Sequence, residues 1–193
     1  MSATVDHRRA TAERNAAAIL DAVERLLDRG ETLSMVAIAS EAGVSRPTLY
    51  AHYKSVGAAV EAAVERTVVR STAAFEAARP DEGSAEEALE RMIAASFGQL
   101  AGFEGLVRHA REHVSPGAQH RTHGALTAPL EALIGRGRRE GAFRTDVPVD
   151  WLVTVYLALV HGASDHAAAH GVPRDEALAL VTKTIRELYS SSE

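Results

Sequence analysis

Thr32-Leu-Ser-Met-Val-Ala-Ile-Ala-Ser-Glu-Ala-Gly-Val-Ser-Arg-Pro-Thr-Leu-Tyr-Ala-His-Tyr-Lys-Ser-Val56 is the stretch whose reading decides the fold. Two short helical patterns meet at Gly43, and their apolar side chains are spaced so that both helices turn towards one small core. Ser34 has the side chain of an N-cap, a short oxygen able to accept from an orphan backbone N–H. Ile38 and Ala39 are the inward residues of the first helix. Gly43 ends it, because a residue without Cβ enters the left-handed conformation freely. Val44 plugs the corner, Ser45 caps the second helix, and Pro47 falls in a first turn that has no intrahelical N–H bond to lose. The spacing predicts a helix-turn-helix.

In the second helix Leu49 and Tyr53 are four residues apart and point back to the first. Pro47, Thr48, Tyr50 and Ala51 are left on the opposite arc, with Arg46 and His52 at its edges. Hydroxyls, a guanidinium and an imidazole on a short rod are groups that reach base edges and phosphates in a major groove. A packed helical hairpin with an ordinary polar surface has the same spacing, so both readings stand at this level.

The run Ile38-Ala-Ser-Glu-Ala-Gly-Val-Ser-Arg-Pro-Thr-Leu-Tyr-Ala-His-Tyr53 resembles the helix-turn-helix signature of the tetracycline-repressor (TetR) family of bacterial transcription regulators. The likeness includes the Ala-Gly-Val turn, Leu49-Tyr50 and the His52-Tyr53 pair, and covers about the first third of the chain. Carried over by position, it implies that Arg46, Pro47 and Thr48 face bases and that Tyr50, His52 and Lys54 contact phosphates, with Ser34 and Ser45 at the same surface. The line departs from the family after Tyr53. Where the family often has Ser-Lys-Glu, this chain has Lys54-Ser55-Val56-Gly57, so Val56 takes the commonest phosphate-contacting lysine position and Lys54 is the substitute two residues earlier.

Working outward, residues 1–10 read as a mobile arm whose His7, Arg8 and Arg9 either reach an adjacent groove or phosphate or are simply a solvated basic tail. From Thr11 to Arg29 the set Ile19, Leu20, Val23, Leu26 and Leu27 has helical spacing, completes a three-helix head, and carries Arg14 as a further phosphate candidate. A fourth helix is expected from about Val56 to Ala78, with Val60, Val64, Val68 and Phe75 along one side. Arg79-Pro-Asp-Glu-Gly83 breaks the chain. Next come a helix from near Ser84 with Leu89, Met92, Ile93, Phe97 and Leu100, a stripe of Phe103, Leu106, Val107, Ala110 and Val114, and a long helix to Gly141 with Leu126, Leu130, Leu133 and Ile134 inward. Arg139-Glu-Gly-Ala-Phe-Arg-Thr-Asp146 resembles the connector before the last two helices of the same family. Those two are the most hydrophobic part: Trp151, Leu152, Val155, Tyr156, Leu159 and Val160 on one, Leu178, Val181, Ile185 and Leu188 on the other. Small residues Ala158, Gly162, Ala163 and Ala167 permit close approach, and a self-complementary four-helix interface is the simplest use of such a pair; packing wholly within one chain is the alternative.

The expected fold is therefore all-α, about nine helices, with a helix-turn-helix DNA-binding head over residues 1–55 and a helical effector-binding and dimerisation body over 56–193. A chain of 193 residues with 46% hydrophobic and 24% charged residues fits a folded protein with a substantial core. It has no cysteine, which removes disulfides and thiolate metal sites and suits a reducing cytoplasm. Neither a signal-peptide core nor a membrane span is legible. The net charge of −5 is not that of a basic nucleic-acid binder. Its distribution answers the objection: through Val56 there are seven Lys/Arg and seven Asp/Glu, so the whole acidic excess of 26 over 21 falls later.

The resemblance also implies a pocket in the body for a small, often apolar effector. Met92, Phe97, Phe103, Leu106, Leu126, Trp151 and Tyr156 are its candidates, with His109 and His161 as polar anchors. Aromatics make up only 5% of the chain, which disfavours a cavity of stacked rings. The nine histidines include i, i+4 pairs His109/His113 and His166/His170, with His161/Asp165 at the same spacing; this is a metal-ligand spacing, but without a combined motif they read as solvated side chains, and no metal or cofactor is expected. No nucleophile motif, phosphate loop or paired carboxylate supports an enzyme. The expected function is a ligand-released, dimeric transcriptional repressor acting on double-stranded DNA in the cytoplasm. Its competitor is a helical ligand- or metal-sensing protein whose head binds another protein.

Overall fold

The computed structural model describes residues 2–99 and 116–191; for 2–6, 8, 116–123, 125 and 126 it describes the backbone alone. The described residues form eight helices and no strand: α1 Ser2–Asp28, α2 Met35–Ala42, α3 Arg46–His52, α4 Val56–Ala77, α5 Ala85–Gln99, α6 Pro116–Arg139, α7 Val149–His170 and α8 Arg174–Tyr189. Expected residues Leu100, Phe103, Leu106, Val107, His109, Ala110, His113 and Val114 lie outside the described residues, as does the side chain of Leu126.

Two compact units are present: the first runs to Thr67 and takes in the opening of α6 to His120, and the second holds the rest of the described residues. The first is built on α1, α2, α3 and the opening turns of α4. Ile19, Val23, Leu26 and Leu27 of α1, Ile38 and Ala39 of α2, Leu49 of α3 and Ala59, Val60 and Ala63 of α4 make one buried cluster. Burying each large aliphatic of such a set is worth roughly 1.5–3 kcal/mol. These residues are buried because their spacing keeps them on one stripe of each helix, while Arg14, Arg46 and Tyr50 fall on other arcs. Val56 packs half-buried against the same cluster, so the position the family gives to a lysine is here part of the core.

One expectation is corrected. Residues 2–10 are the opening turns of α1, not a separate arm. Nothing from Ser2 to Arg29 is proline or glycine, so no residue ends the helix, and Arg9 Nε sits 3.0 Å from Glu13 Oε1 one turn on.

The second unit contains α5, α7 and α8 with most of α6. Leu89, Met92, Ile93 and Phe97 of α5, Leu130, Leu133 and Ile134 of α6, Leu152, Val153, Tyr156 and Val160 of α7, and Ala177, Val181, Ile185 and Tyr189 of α8 are buried. Leu178 and Leu188 are only half-buried, and Ala177 and Tyr189 take the inner positions beside Val181 and Ile185. The connector before α7 is pinned from both ends. Phe143 is buried edge-on against Tyr189, ring centroids 5.7 Å apart, and its ring fills the space over Gly137, where a Cβ would overlap it. Tyr189 donates its hydroxyl to the Leu152 carbonyl at 2.8 Å. Arg138 donates to the Arg144 carbonyl at 3.0 Å and to that of Val147. The turn between α4 and α5 is held in the same way: Arg91 donates to the carbonyls of Ala78, Arg79 and Glu82, and Arg136 to those of Pro80, Gly83 and Ser84.

Candidate nucleic-acid interface

The α2–turn–α3 geometry follows from three small residues. Ser34 is extended (φ −144°, ψ 155°) and its hydroxyl accepts from the Ala37 amide at 3.1 Å. Gly43 is left-handed (φ 66°, ψ 27°); its amide donates to the Ser40 carbonyl and that of Val44 to the Ala39 carbonyl, closing the helix end with two backbone bonds. Ser45 accepts from the Thr48 amide at 3.2 Å, and its hydroxyl is 2.8 Å from that of Thr48. Ser34 and Ser45 are thus turned to their own amides. They set the geometry of the surface rather than extending from it.

On α3 only Leu49 is buried. Arg46, Pro47, Tyr50 and Ala51 are exposed, while Thr48 and His52 are half-buried. Tyr50 keeps 46% of its surface open, unusual for a ring that a neighbouring core would take up. Tyr53 instead turns inward, and burial pushes its phenol pKa up. Lys54 folds back, its Nζ donating to the Tyr50 carbonyl at 2.8 Å near the negative end of α3. Arg9 is exposed but paired with Glu13, and Arg14 donates to the Thr11 hydroxyl at 2.9 Å. The Arg8 side chain lies outside the described residues.

Sequence reading missed the charged residues that tie α2 and α4 to α1. Glu41 of α2 receives Arg25 Nε at 2.6 Å and Arg29 Nη2 at 2.9 Å, and these two guanidiniums draw its carboxyl below the ordinary range. Arg29 also reaches Glu31 at 2.6 Å, completing a chain of charges along the rim. Arg66 of α4 reaches Asp21 at 2.7 Å and Glu24 at 2.9 Å. The signal was opposite charges on predicted helices, but which helices approach is a tertiary fact.

Residues 19–63 match the family described as bacterial regulatory proteins, tetR family. The helix-turn-helix segment of the head is thus similar to that of the TetR family. No curated protein matches the chain in sequence. Solved structures match over nearly all of it and extend the TetR-type fold to the whole chain. A TetR family transcription regulator from Marinobacter aquaeolei VT8 is 18% identical with a TM-score of 0.78, covering 95% of this chain and 100% of its own. The TetR-like regulator LfrR from Mycobacterium smegmatis, solved in complex with proflavine, is 24% identical with a TM-score of 0.76, covering 90% and 94%. A tetR-family regulatory protein from Rhodococcus RHA1 is 17% identical with a TM-score of 0.76, covering 93% and 98%.

In the TetR-type body the effector candidates separate. Met92, Phe97 and Tyr156 are buried in the second unit, and Tyr156 shares a 2.7 Å hydroxyl contact with Ser96. Arg174 lies 4.9 Å over the Phe97 ring. His161 is half-buried, and its removal from water lowers its pKa against the opposing pull of Asp165. Trp151 is 57% exposed, because it starts α7 on a different arc from the inward Leu152 and Tyr156. Among the described residues no helix is long and apolar enough to cross a membrane.

Proposed function

We propose that the chain is a sequence-specific DNA-binding transcriptional regulator, a homodimer that represses by occupying its operator and is released by a small molecule. The observation that carries this reading is the arc of α3: Arg46, Pro47 and Tyr50 exposed beside a fully buried Leu49, within the segment that matches the family. Arg46 has the fork to read a guanine edge, Thr48 and Pro47 the apolar surface to meet a thymine methyl, and Tyr50, His52 and Lys54 the donors for phosphate. Arg8, Arg9 and Arg14 add charge from α1.

The head is taken as residues 1–55 and the body as 56–193. Dimerisation through α7 and α8 is supported by what those helices leave outward. Trp151 and Leu180 are large apolar residues 57% and 53% exposed, and Ala158 and Gly162 are exposed and small enough for close helix approach. A two-fold axis through such a bundle gives the paired recognition helices that half-sites about 34–36 Å apart require. The effector is taken to bind in the body near Met92, Phe97 and Tyr156. A ligand that favours one spacing of the two heads shifts the population away from the DNA-bound state.

Selection of bound fragments from a random DNA library by the full-length protein tests the reading. Enrichment of a palindromic motif with half-sites one helical turn apart is expected. Absence of any enriched motif overturns it in favour of a head that binds protein.

A further inference from the structure

The last turns of α7 carry a feature that DNA recognition does not use. His166 and His170 are exposed, and their rings face each other with centroids 4.5 Å apart and planes inclined at 45°. The i, i+4 spacing puts both imidazoles on one helix face, with their rings side by side. We propose that His166 and His170 form a two-imidazole chelate for a late first-row divalent ion, of the class of Ni²⁺, Cu²⁺ or Zn²⁺, on each chain.

Three observations support it. Neither ring makes another hydrogen bond or ion pair among the described residues, so both are available as ligands. Imidazole nitrogen is a donor that these ions prefer over calcium or magnesium, and the chain has no thiolate to compete. The pair sits at the C-terminus of α7, which ends at Gly171 (φ 66°), and that end of a helix carries the negative pole of the backbone dipoles, favourable to a cation. Among the described residues no group of three His, Asp or Glu converges. The site therefore offers two protein ligands and leaves the remaining positions to water, an exchangeable site rather than a closed structural one. A bound ion would tie the last turn of α7 to the turn before it.

The test is calorimetric titration of the full-length protein with NiCl₂ and, separately, ZnCl₂. Wild type is compared with His166→Gln, His170→Gln, the double variant and a control at another exposed histidine, His7→Gln. Each single variant is expected to weaken the site at least about tenfold, and the double variant to bind about one ion fewer per chain than wild type. Ni²⁺ should raise the melting temperature of wild type more than that of the double variant. Because both side chains are exposed, the variants fold. A double variant with unchanged stoichiometry and affinity overturns the proposal, and so does equal weakening by His7→Gln, which would mark adventitious surface binding.

Discussion

At the scale of single residues, Tyr50 is the sharpest test of the interface. Its ring lies on the open arc, outside the head's buried cluster, so Tyr50→Ala should leave thermal stability within about 0.5 kcal/mol while reducing affinity for the selected operator below detection. A melt beside a binding isotherm checks both; undiminished affinity would count heavily against the assigned face. Lys54 makes a subtler case, because in the free protein its ammonium is held on the Tyr50 carbonyl. If it leaves that carbonyl for a phosphate, Lys54→Met should weaken binding alike on all sequences and lower the slope of log K against log salt by about one. An unchanged slope would leave the phosphate contact that Val56 cannot make unfilled in this protein.

At the scale of elements, the connector between α6 and α7 shows what packing adds. Gly137→Ala should destabilise the second unit by about 1–3 kcal/mol, because the new methyl meets the Phe143 ring wedged against Tyr189; differential calorimetry would read it as a lower melting temperature. The same connector has an acid-sensitive pair. Arg144 holds Asp146 at 2.6 Å and pulls its pKa down to about 2. The folded state therefore favours the ionised carboxylate: the contribution is complete above the ordinary aspartate pKa and fades as pH falls towards about 2. Arg144→Met should flatten the stability profile in that window and lower stability slightly near neutrality, where the wild-type pair contributes in full. Asp146 is exposed, so the effect is small and best seen as a change of slope.

These elements also divide by how far they could be read in sequence. Ser34, Gly43 and Ser45 each act within four residues, and a chemistry that closes locally is visible in a string. So are the Leu49/Tyr53 face and the start of α4. Phe143 is legible only as part of a connector, because its partners, Gly137 and Tyr189, are brought to it by folding. Thr48 was assigned to bases by resemblance, while its hydroxyl also reaches Ser45. Trp151 was grouped with an apolar helix by composition, and its exposure depends on which arc α8 covers.

At the scale of the molecule, the proposed pairing through the outward residues of α7 and α8 is tested by oligomeric state. Leu180→Asp places a charge on a surface that a two-fold interface would bury, and should convert a dimer to a monomer in sedimentation velocity while the monomer's helix content is kept. Operator affinity should fall with it, since a single head loses the second half-site. A wild-type chain that sediments as a monomer at all concentrations would remove the basis for that pairing. With a neutral head and an acidic remainder, DNA affinity should fall with salt along a modest slope, since that slope scales with the few cations that contact phosphate.

The turn between α4 and α5 carries a consequence of its own. Arg79, Asp81, Glu82 and Gly83 are exposed, the composition and position at which digestive enzymes usually enter a folded chain. A protease must pull several residues straight to cut one bond, and here two guanidinium forks hold six successive and near-successive carbonyls. Glutamyl endopeptidase should spare Glu82 in the intact protein and cleave there once Arg136 is replaced by leucine.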